Sequence, residues 1–184
     1  MVRKILMTFF LIFFTPWLYG VETLTTRQMP LAYQLPIPQE TTTSADENSC
    51  NPESSKKEVR SLINTAFDYM GMKYAFGAGK GGARTDCSLF AQRVFSKFGV
   101  HLPRSASQQA HLGKHVSLQH IQPGDLLFYR TYKKAPSHVA IYIGNGKIIH
   151  ASFRQRKVTV DSIALPYYKK RFLFAKRVAL KKEG

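Results

Sequence analysis

The segment ARTDCSLFAQRVFSKFG, residues 83–99, places a cysteine between an aspartate and a serine at the predicted start of an amphipathic helix. Asp86 is a suitable N-cap residue, so Cys87 is expected at the first helical position. Unpaired backbone N–H groups and the positive end of the helix dipole favour a thiolate there. The same N–H groups can hold an oxyanion that develops on an attacked carbonyl. The pattern therefore predicts a nucleophilic cysteine.

Three other roles for Cys87 are weaker. A packing cysteine would lie deeper in the helix, on its apolar face. A disulfide would have to use Cys50, the only other cysteine, which lies in a polar stretch without hydrophobic periodicity. A zinc site could use His111 and His115, but no glutamate accompanies this pair and Gly113 interrupts the helix. We therefore expect neither a metal ion nor an organic cofactor.

Two of the six histidines flank a predicted β-hairpin, where strand pairing can aim them at the cysteine. With a three-residue loop at 144–146, Ala140 lies opposite His150, and His138 lies opposite Ser152. Both imidazoles then lie on one face of the sheet, about 7–8 Å apart at the backbone. Because Ala140 is small, the cysteine helix is expected to approach this face. We predict His138 as the general base and His150 as the group that orients it.

Hydrophobic periodicity separates residues 56–184 into helices followed by strands. A capping box at Ser55 and Glu58 predicts a first helix that ends at Gly71, and Ser105 is expected to cap a short third helix. Five segments rich in Val, Ile, Phe and Tyr then predict strands: LLFYR, HVAIYIG, GKIIHAS, KVTVD and RFLFAKRVA. This order predicts an α+β domain with a five-stranded antiparallel sheet.

The N-terminal third of the chain has a different character. Residues 1–20 combine Arg3 and Lys4 with an apolar run and a small residue at Gly20, which is the layout of a secretory signal peptide. An uncleaved membrane anchor is the alternative, but the run is shorter than the ~20 apolar residues of a spanning helix. Residues 21–55 lack core-forming periodicity and are interpreted as a disordered polar linker. We expect an exported protein with no stable membrane span after signal cleavage.

The folded part is strongly basic. From Lys56 to Gly184 there are 24 Lys and Arg against 6 Asp and Glu, a net charge of +18. Such a field attracts polyanions, including anionic polymers of the cell envelope. The basic residues are scattered and form no stripe interleaved with aromatic residues, so we expect no nucleic-acid partner.

Several segments carry a family resemblance: TDCSLF, LPRSASQQ, QPGDLLFY and SHVAIYIGNGKIIHAS. Over about residues 58–178 the chain resembles the NlpC/P60 cysteine peptidases of bacterial cell walls, and most of all their MepS (Spr)-type murein endopeptidases. The resemblance implies a papain-like α+β fold, with a cysteine-led helix packed on an antiparallel sheet. It also implies that the catalytic residues are Cys87, His138 and His150, the three already selected from the residues themselves.

The resemblance implies substrate contacts as well. Tyr74 corresponds to the family tyrosine whose hydroxyl helps to polarise the attacked carbonyl. Asp86 and Ser88 correspond to the residues beside the nucleophile that bind the substrate peptide, and Arg104 to an arginine near the cleft. Two alternatives stay open, because Asp86 is also a helix cap and Arg104 is also suited to a structural ion pair.

The chain departs from the family pattern at two positions. Ala78 and Leu89 replace glycines, and both are expected near the floor of the cleft. In addition, MepS-type relatives are typically lipoproteins, whereas no lipid-attachment cysteine follows the apolar run here.

These observations predict a monomeric, periplasmic or envelope-associated thiol protease that cuts peptidoglycan stem peptides. The resemblance favours the D-Ala–diaminopimelate cross-link as the bond, with D-Glu–diaminopimelate next. The alternative is a catalytically silent wall-binding or scaffolding module of the same fold.

Overall fold

The computed structural model describes residues 52–79 and 81–180. Its helices are α1 (Pro52–Phe67), α2 (Cys87–Ser96), α3 (Ala106–Gln109) and α4 (Pro166–Lys169), with a 3-10 turn at Leu118–His120. Its strands are β1 (Lys73–Tyr74), β2 (Arg84–Thr85), β3 (Lys114–Val116), β4 (Leu126–Tyr129), β5 (His138–Gly144), β6 (Lys147–Ser152), β7 (Lys157–Ser162) and β8 (Phe172–Arg177). The predicted signal peptide, Cys50 and most of the predicted linker lie outside the described residues.

One sheet organises the fold, with the strand order β2-β1-β7-β6-β5-β4-β8-β3. The α+β class is confirmed, but the predicted number of five strands is wrong because the sheet has eight. The five predicted strands are β4 to β8, and they are neighbours at its centre. The additional strands β1, β2 and β3 lie towards its edges and contain only two or three residues, too few to produce a hydrophobic period. β1 and β2 also pair in parallel.

The two faces of the sheet carry different layers. Helix α2 packs its fully buried Phe90 and Phe95 against the face that carries Val139 and Ile141. Burying each such side chain contributes roughly 1.5–3 kcal/mol to the stability of the fold. The opposite face carries Ala140 and a smaller cluster covered by α4. The prediction that the cysteine helix lies over Ala140 is therefore wrong, since α2 uses the more apolar face.

Helix α1 begins earlier than its sequence pattern indicates. Its first residue is Pro52, so Ser55 lies inside the helix and the predicted capping box at its start is wrong. Proline suits the first helical position because its fixed φ matches the helix and its missing N–H would be unpaired there. Within residues 52–79 and 81–180, no helix is long and apolar enough to cross a membrane.

Candidate active site

A cleft of about 1230 Å³ opens where the first residue of α2 meets the ends of the central strands. Its lining includes every site residue predicted from the sequence: Tyr74, Asp86, Cys87, Ser88, Arg104, His138 and His150. The helices, the strands and the loops between them thus bring together residues up to 76 positions apart in the chain. The cleft is the candidate active site.

Cys87 is the first residue of α2, as predicted, and its thiol is free. The Asp86 carboxylate caps the helix by accepting a hydrogen bond from the Leu89 N–H at 2.8 Å. Burial raises the pKa of Cys87 to about 11, although backbone N–H groups of Val139 and Ser88 act in the opposite direction. The expectation of a dipole-stabilised thiolate does not hold for this state, because the thiol is only 7% exposed and desolvation outweighs the helix terminus.

The hairpin that carries the two histidines has the predicted pairing but not the predicted loop. Ile141 pairs with Ile149, which matches the expected register, yet Gly144 pairs with Lys147 and leaves a two-residue turn. The turn residues Asn145 and Gly146 have φ of 51° and 66°, typical of a tight type I′ hairpin. A bulge between Tyr142 and Gly144 supplies the extra residue that the shorter turn lacks. Both histidines therefore keep the same face.

A chain of hydrogen bonds connects the histidines to a carboxylate. The His138 Nε2 atom lies 2.9 Å from His150 Nδ1, and His150 Nε2 lies 3.0 Å from Asp161 Oδ2. A carboxylate only accepts, so His150 donates from Nε2. In the neutral form of His150, which has a single N–H, the Nδ1 atom then accepts from His138 Nε2–H. This assignment leaves the lone pair of neutral His138 on Nδ1. This series of hydrogen bonds therefore keeps His138 in the tautomer with a lone pair on Nδ1, which a general base needs.

The charge states agree with this direction. A hydrogen bond from His150 is the main cause that lowers the pKa of Asp161 to about 2, and Tyr168 adds a second one. Burial, followed by the nearby His150, lowers the pKa of His138 well below the usual value of 6.5. At neutral pH the site therefore contains an ionised Asp161, a neutral His138 and a protonated Cys87.

Asp161 and Tyr168 are site residues that the sequence reasoning missed. Asp161 pairs with Ile148 on β6, and it therefore shares a face with the diagonal neighbour His150. Tyr168, on α4, donates to Asp161 Oδ2 at 2.6 Å and lies 3.1 Å from His150 Nε2. Extending the strand register by one more strand, into KVTVD, would have identified Asp161. No periodic signal in the four-residue α4 identifies Tyr168.

Asp86, Ser88 and Arg104 form a network on the helical side of the cleft. The Arg104 guanidinium donates to both oxygens of Asp86, at 3.1 and 2.5 Å, and to the Ser88 hydroxyl at 3.1 Å. Asp86 also accepts from the Gly77 N–H, the Ser88 hydroxyl and the Leu89 N–H. This exceeds the roughly four lone-pair positions of a carboxylate, so Asp86 is saturated within the protein. The helix-cap and ion-pair interpretations both describe real contacts.

The structure also shows where Tyr74, Ala78 and Leu89 lie relative to the cleft. The Tyr74 ring contacts Phe153 edge-on at 5.7 Å between centroids, and burial raises the pKa of its phenol, which stays protonated and can donate. Neither Ala78 nor Leu89 lines the cleft, so the expectation that they shape its floor is wrong. Leu89 is fully buried in the protein, and the carbonyl of Ala78 accepts from Arg104. Among the described residues, no group of three or more His, Cys, Asp or Glu is arranged to hold a metal ion.

Comparison with known proteins finds similar sequences in bacteria. The chain is 41% identical over 123 residues to murein DD-endopeptidase MepS/murein LD-carboxypeptidase of Escherichia coli, covering 66% of this chain and 64% of that protein. It is 39% identical over 118 residues to gamma-DL-glutamyl hydrolase of Bacillus subtilis, covering 63% of this chain and 28% of that protein. The chain thus spans less than two thirds of the length of either relative.

A solved structure shares the fold. The crystal structure of an NlpC/P60 family protein from Bacillus cereus is similar with a TM-score of 0.61 and 34% identity, over 65% of this chain and 39% of that one. The NlpC/P60 family pattern itself matches residues 71–177, which contain all seven predicted site residues. The chain belongs to the NlpC/P60 family.

Proposed function

We propose that this protein is a peptidoglycan endopeptidase, a cysteine peptidase that hydrolyses amide bonds in stem peptides or their cross-links. The observation that carries the proposal is the hydrogen-bonded series from His138 through His150 to Asp161, which lines one cleft with Cys87. A series that fixes the tautomer of a buried histidine beside a helix-tip thiol serves nucleophilic catalysis. The relatives named as murein endopeptidase and glutamyl hydrolase supply the substrate class.

The reaction begins with a neutral thiol and a neutral imidazole. His138 Nδ1 removes the thiol proton as the Cys87 sulfur attacks the amide carbonyl, so the base acts during attack and not before it. The developing oxyanion accepts hydrogen bonds from backbone N–H groups at the start of α2 and from the Tyr74 hydroxyl. The proton on His138 then passes to the leaving amine, the C–N bond breaks, and a thioester remains on Cys87.

Water completes the cycle. His138 removes a proton from a water molecule that attacks the thioester carbonyl, and the C–S bond breaks. The sulfur regains the proton, so the enzyme returns to its starting state and the product leaves as a free carboxylate. Throughout both halves, His150 holds the His138 ring, and ionised Asp161 stabilises the imidazolium that forms transiently.

The network of Asp86, Ser88 and Arg104 is proposed to bind the substrate peptide as a unit. Because Asp86 is saturated, the unit contacts the peptide through Ser88 and through the Arg104 guanidinium, whose side chain is 37% exposed. The D-Ala–diaminopimelate cross-link is the proposed bond, with D-Glu–diaminopimelate second. The 41% identity to a protein named as a murein DD-endopeptidase supports this order.

The cellular setting is part of the same proposal. Residues 1–20 direct export, the segment between residue 20 and the start of α1 at Pro52 tethers the catalytic domain, and the protein acts as a monomer in the periplasm or cell envelope. The net charge of +18 between Lys56 and Gly184, from 24 basic and 6 acidic residues, draws it to a wall rich in carboxylates.

Incubation of purified residues 21–184 with cross-linked and uncross-linked muropeptides tests the activity, with mass spectrometry of the products. We expect cleavage by the wild type, product masses that correspond to the D-Ala–diaminopimelate bond, and no cleavage by Cys87→Ala. Equal product formation by wild type and Cys87→Ala, or none by either, would rule out a cysteine endopeptidase.

A further inference from the structure

Four side chains that are charged at neutral pH line the cleft: Asp86, Arg104, Asp161 and Arg154. Three of them are engaged inside the protein. Asp86 and Arg104 pair with each other, and Asp161 accepts from His150 and Tyr168. Arg154 is exposed and has no hydrogen bond or ion pair with any residue in 52–79 or 81–180. It is the one full charge in the cleft without a protein partner within those ranges.

The turn that carries Arg154 is firmly held. Arg154 belongs to the four-residue connection between β6 and β7, and its neighbour Gln155 donates its backbone N–H to the Ser152 hydroxyl at 3.2 Å. The Gln155 amide donates to Asp161 Oδ1 at 3.0 Å and accepts from Thr159 at 3.2 Å. The carboxylate that orients His150 thus also anchors this turn. The turn that carries Arg154 is therefore anchored to the same carboxylate that orients His150.

Arg154 differs in its surroundings from the two other basic residues of this segment. The Arg156 guanidinium, two residues on, lies over the Phe153 ring at 5.3 Å. Lys157 is exposed at the start of β7 and does not line the cleft. Of the three basic residues in 154–157, only Arg154 lines the cleft, and it has no hydrogen bond or ion pair within the described residues.

We propose that Arg154 forms a subsite for a free carboxylate on the substrate, close to the amide that is cut. The inference rests on the proposed function and deepens it, because it specifies a stem peptide with an acidic side chain, such as diaminopimelate, over one with lysine. A guanidinium presents a planar fork of N–H donors that matches both oxygens of a carboxylate. Lysine at the same position has no carboxylate for the guanidinium to bind.

Binding to the inactive Cys87→Ala protein tests the subsite without any turnover. Two stem peptides are compared that differ only in the diaminopimelate side-chain carboxyl, free in one and amidated in the other. We expect the free acid to bind about tenfold more tightly, the scale of a hydrogen bond to a charged group. In Cys87→Ala/Arg154→Gln the acid should fall to the affinity of the amide, and in Cys87→Ala/Arg154→Glu the amide should become the tighter ligand.

Cys87→Ala/Lys157→Gln is the matched control, since it removes one positive charge three residues away and outside the cleft. It should keep the preference for the acid. The subsite is disproved if acid and amide bind alike to Cys87→Ala, if Arg154→Gln leaves their ratio unchanged, or if Lys157→Gln abolishes it equally. A wild type that cuts neither peptide, while the Arg154-dependent preference in binding persists, would overturn the endopeptidase activity and support the carboxylate subsite.

Discussion

Two carboxylates line the cleft, and their partners differ in kind. Asp86, on the helical side, pairs with Arg104, a permanent cation. Asp161, on the strand side, pairs with an imidazole and a phenol, His150 and Tyr168, neither of which is a permanent cation. The Arg104 counterion keeps its charge in every step of a reaction and stabilises the folded chain throughout. The hydrogen-bonded series of imidazoles that ends at Asp161 instead changes its charge when His138 takes up a proton. We interpret the first as a carboxylate that stabilises the fold and the second as one that acts through the proposed catalytic base, His138.

The same isosteric substitution at both positions should separate these roles, and Asp161→Asn should have the larger effect. An amide can donate to His150 Nε2, which would reverse the series and leave the His138 Nδ1 atom protonated. We expect kcat to fall by about 10³-fold with little change in KM, as expected when a base is held in the wrong tautomer. Steady-state kinetics on a purified muropeptide measures this. A kcat within threefold of the wild type would remove Asp161 from the mechanism.

Asp86→Asn should act mainly on stability. Asparagine keeps the helix cap but leaves the Arg104 guanidinium without its counterion. We expect the free energy of unfolding to drop by about 3 kcal/mol, as when one partner of a mostly buried ion pair is removed. Urea denaturation of the two Asn variants side by side gives the comparison. If Asp161→Asn lost as much stability as Asp86→Asn, the division of roles between the two carboxylates would collapse.

The pH dependence should report on the strand side of the cleft, where His138 and Asp161 lie. Burial lowers the pKa of His138, so the base stays unprotonated and kcat/KM persists below pH 6.5. The unfolded chain binds a proton at this histidine near pH 6.5 while the folded chain does not, so stability declines as the pH falls below that value. The lowered pKa of Asp161 adds stability above pH 3.8 that is lost as the pH falls towards about 2.

A pH–rate profile and pH-dependent urea denaturation measure the two effects. An acidic limb of kcat/KM at or above pH 6.5 would show that His138 is not held neutral by burial.

Tyr168→Phe should have the smallest effect. The substitution removes the 2.6 Å hydrogen bond to Asp161 and the 3.1 Å contact of the hydroxyl with His150 Nε2, but keeps the hydrogen bond between His150 and Asp161. The pKa of Asp161 should therefore rise and kcat should fall about fivefold, near 1 kcal/mol. Tyr167→Phe is the matched control in the same helix, because no hydrogen bond from the Tyr167 hydroxyl to Asp161 is present among the described residues. Equal losses in both variants would indicate a general packing effect of α4.

The residues at the start of α2 could be predicted from local sequence alone. The residues on the strands could be predicted only where the pairing of one strand with the next could be derived from the sequence. Cys87 and Asp86 lie one residue apart, and helix capping places both. His138 and His150 required one hairpin, and the parity of its strands placed them correctly even though the loop length was wrong. Asp161 required a second register step, across β6 and β7.

Other features depend on packing that no local pattern encodes. The sequence does not indicate which face of the sheet α2 covers, because both β5 and β6 are buried on both faces. The short strands β1 to β3 exist only because longer strands offer them an edge. The burial that raises the pKa of Cys87 likewise comes from the assembled cleft and not from the helix that carries it.

The bulge beside the β5–β6 turn has a consequence for how this hairpin can change in evolution. His138 and His150 are twelve positions apart, and they stay on one face because a two-residue turn and one extra strand residue occur together. A single insertion or deletion in the turn alone would rotate one imidazole to the opposite face. Length changes between the two histidines would therefore have to occur in compensating pairs, so the number of residues in this segment is more strongly constrained than their identity.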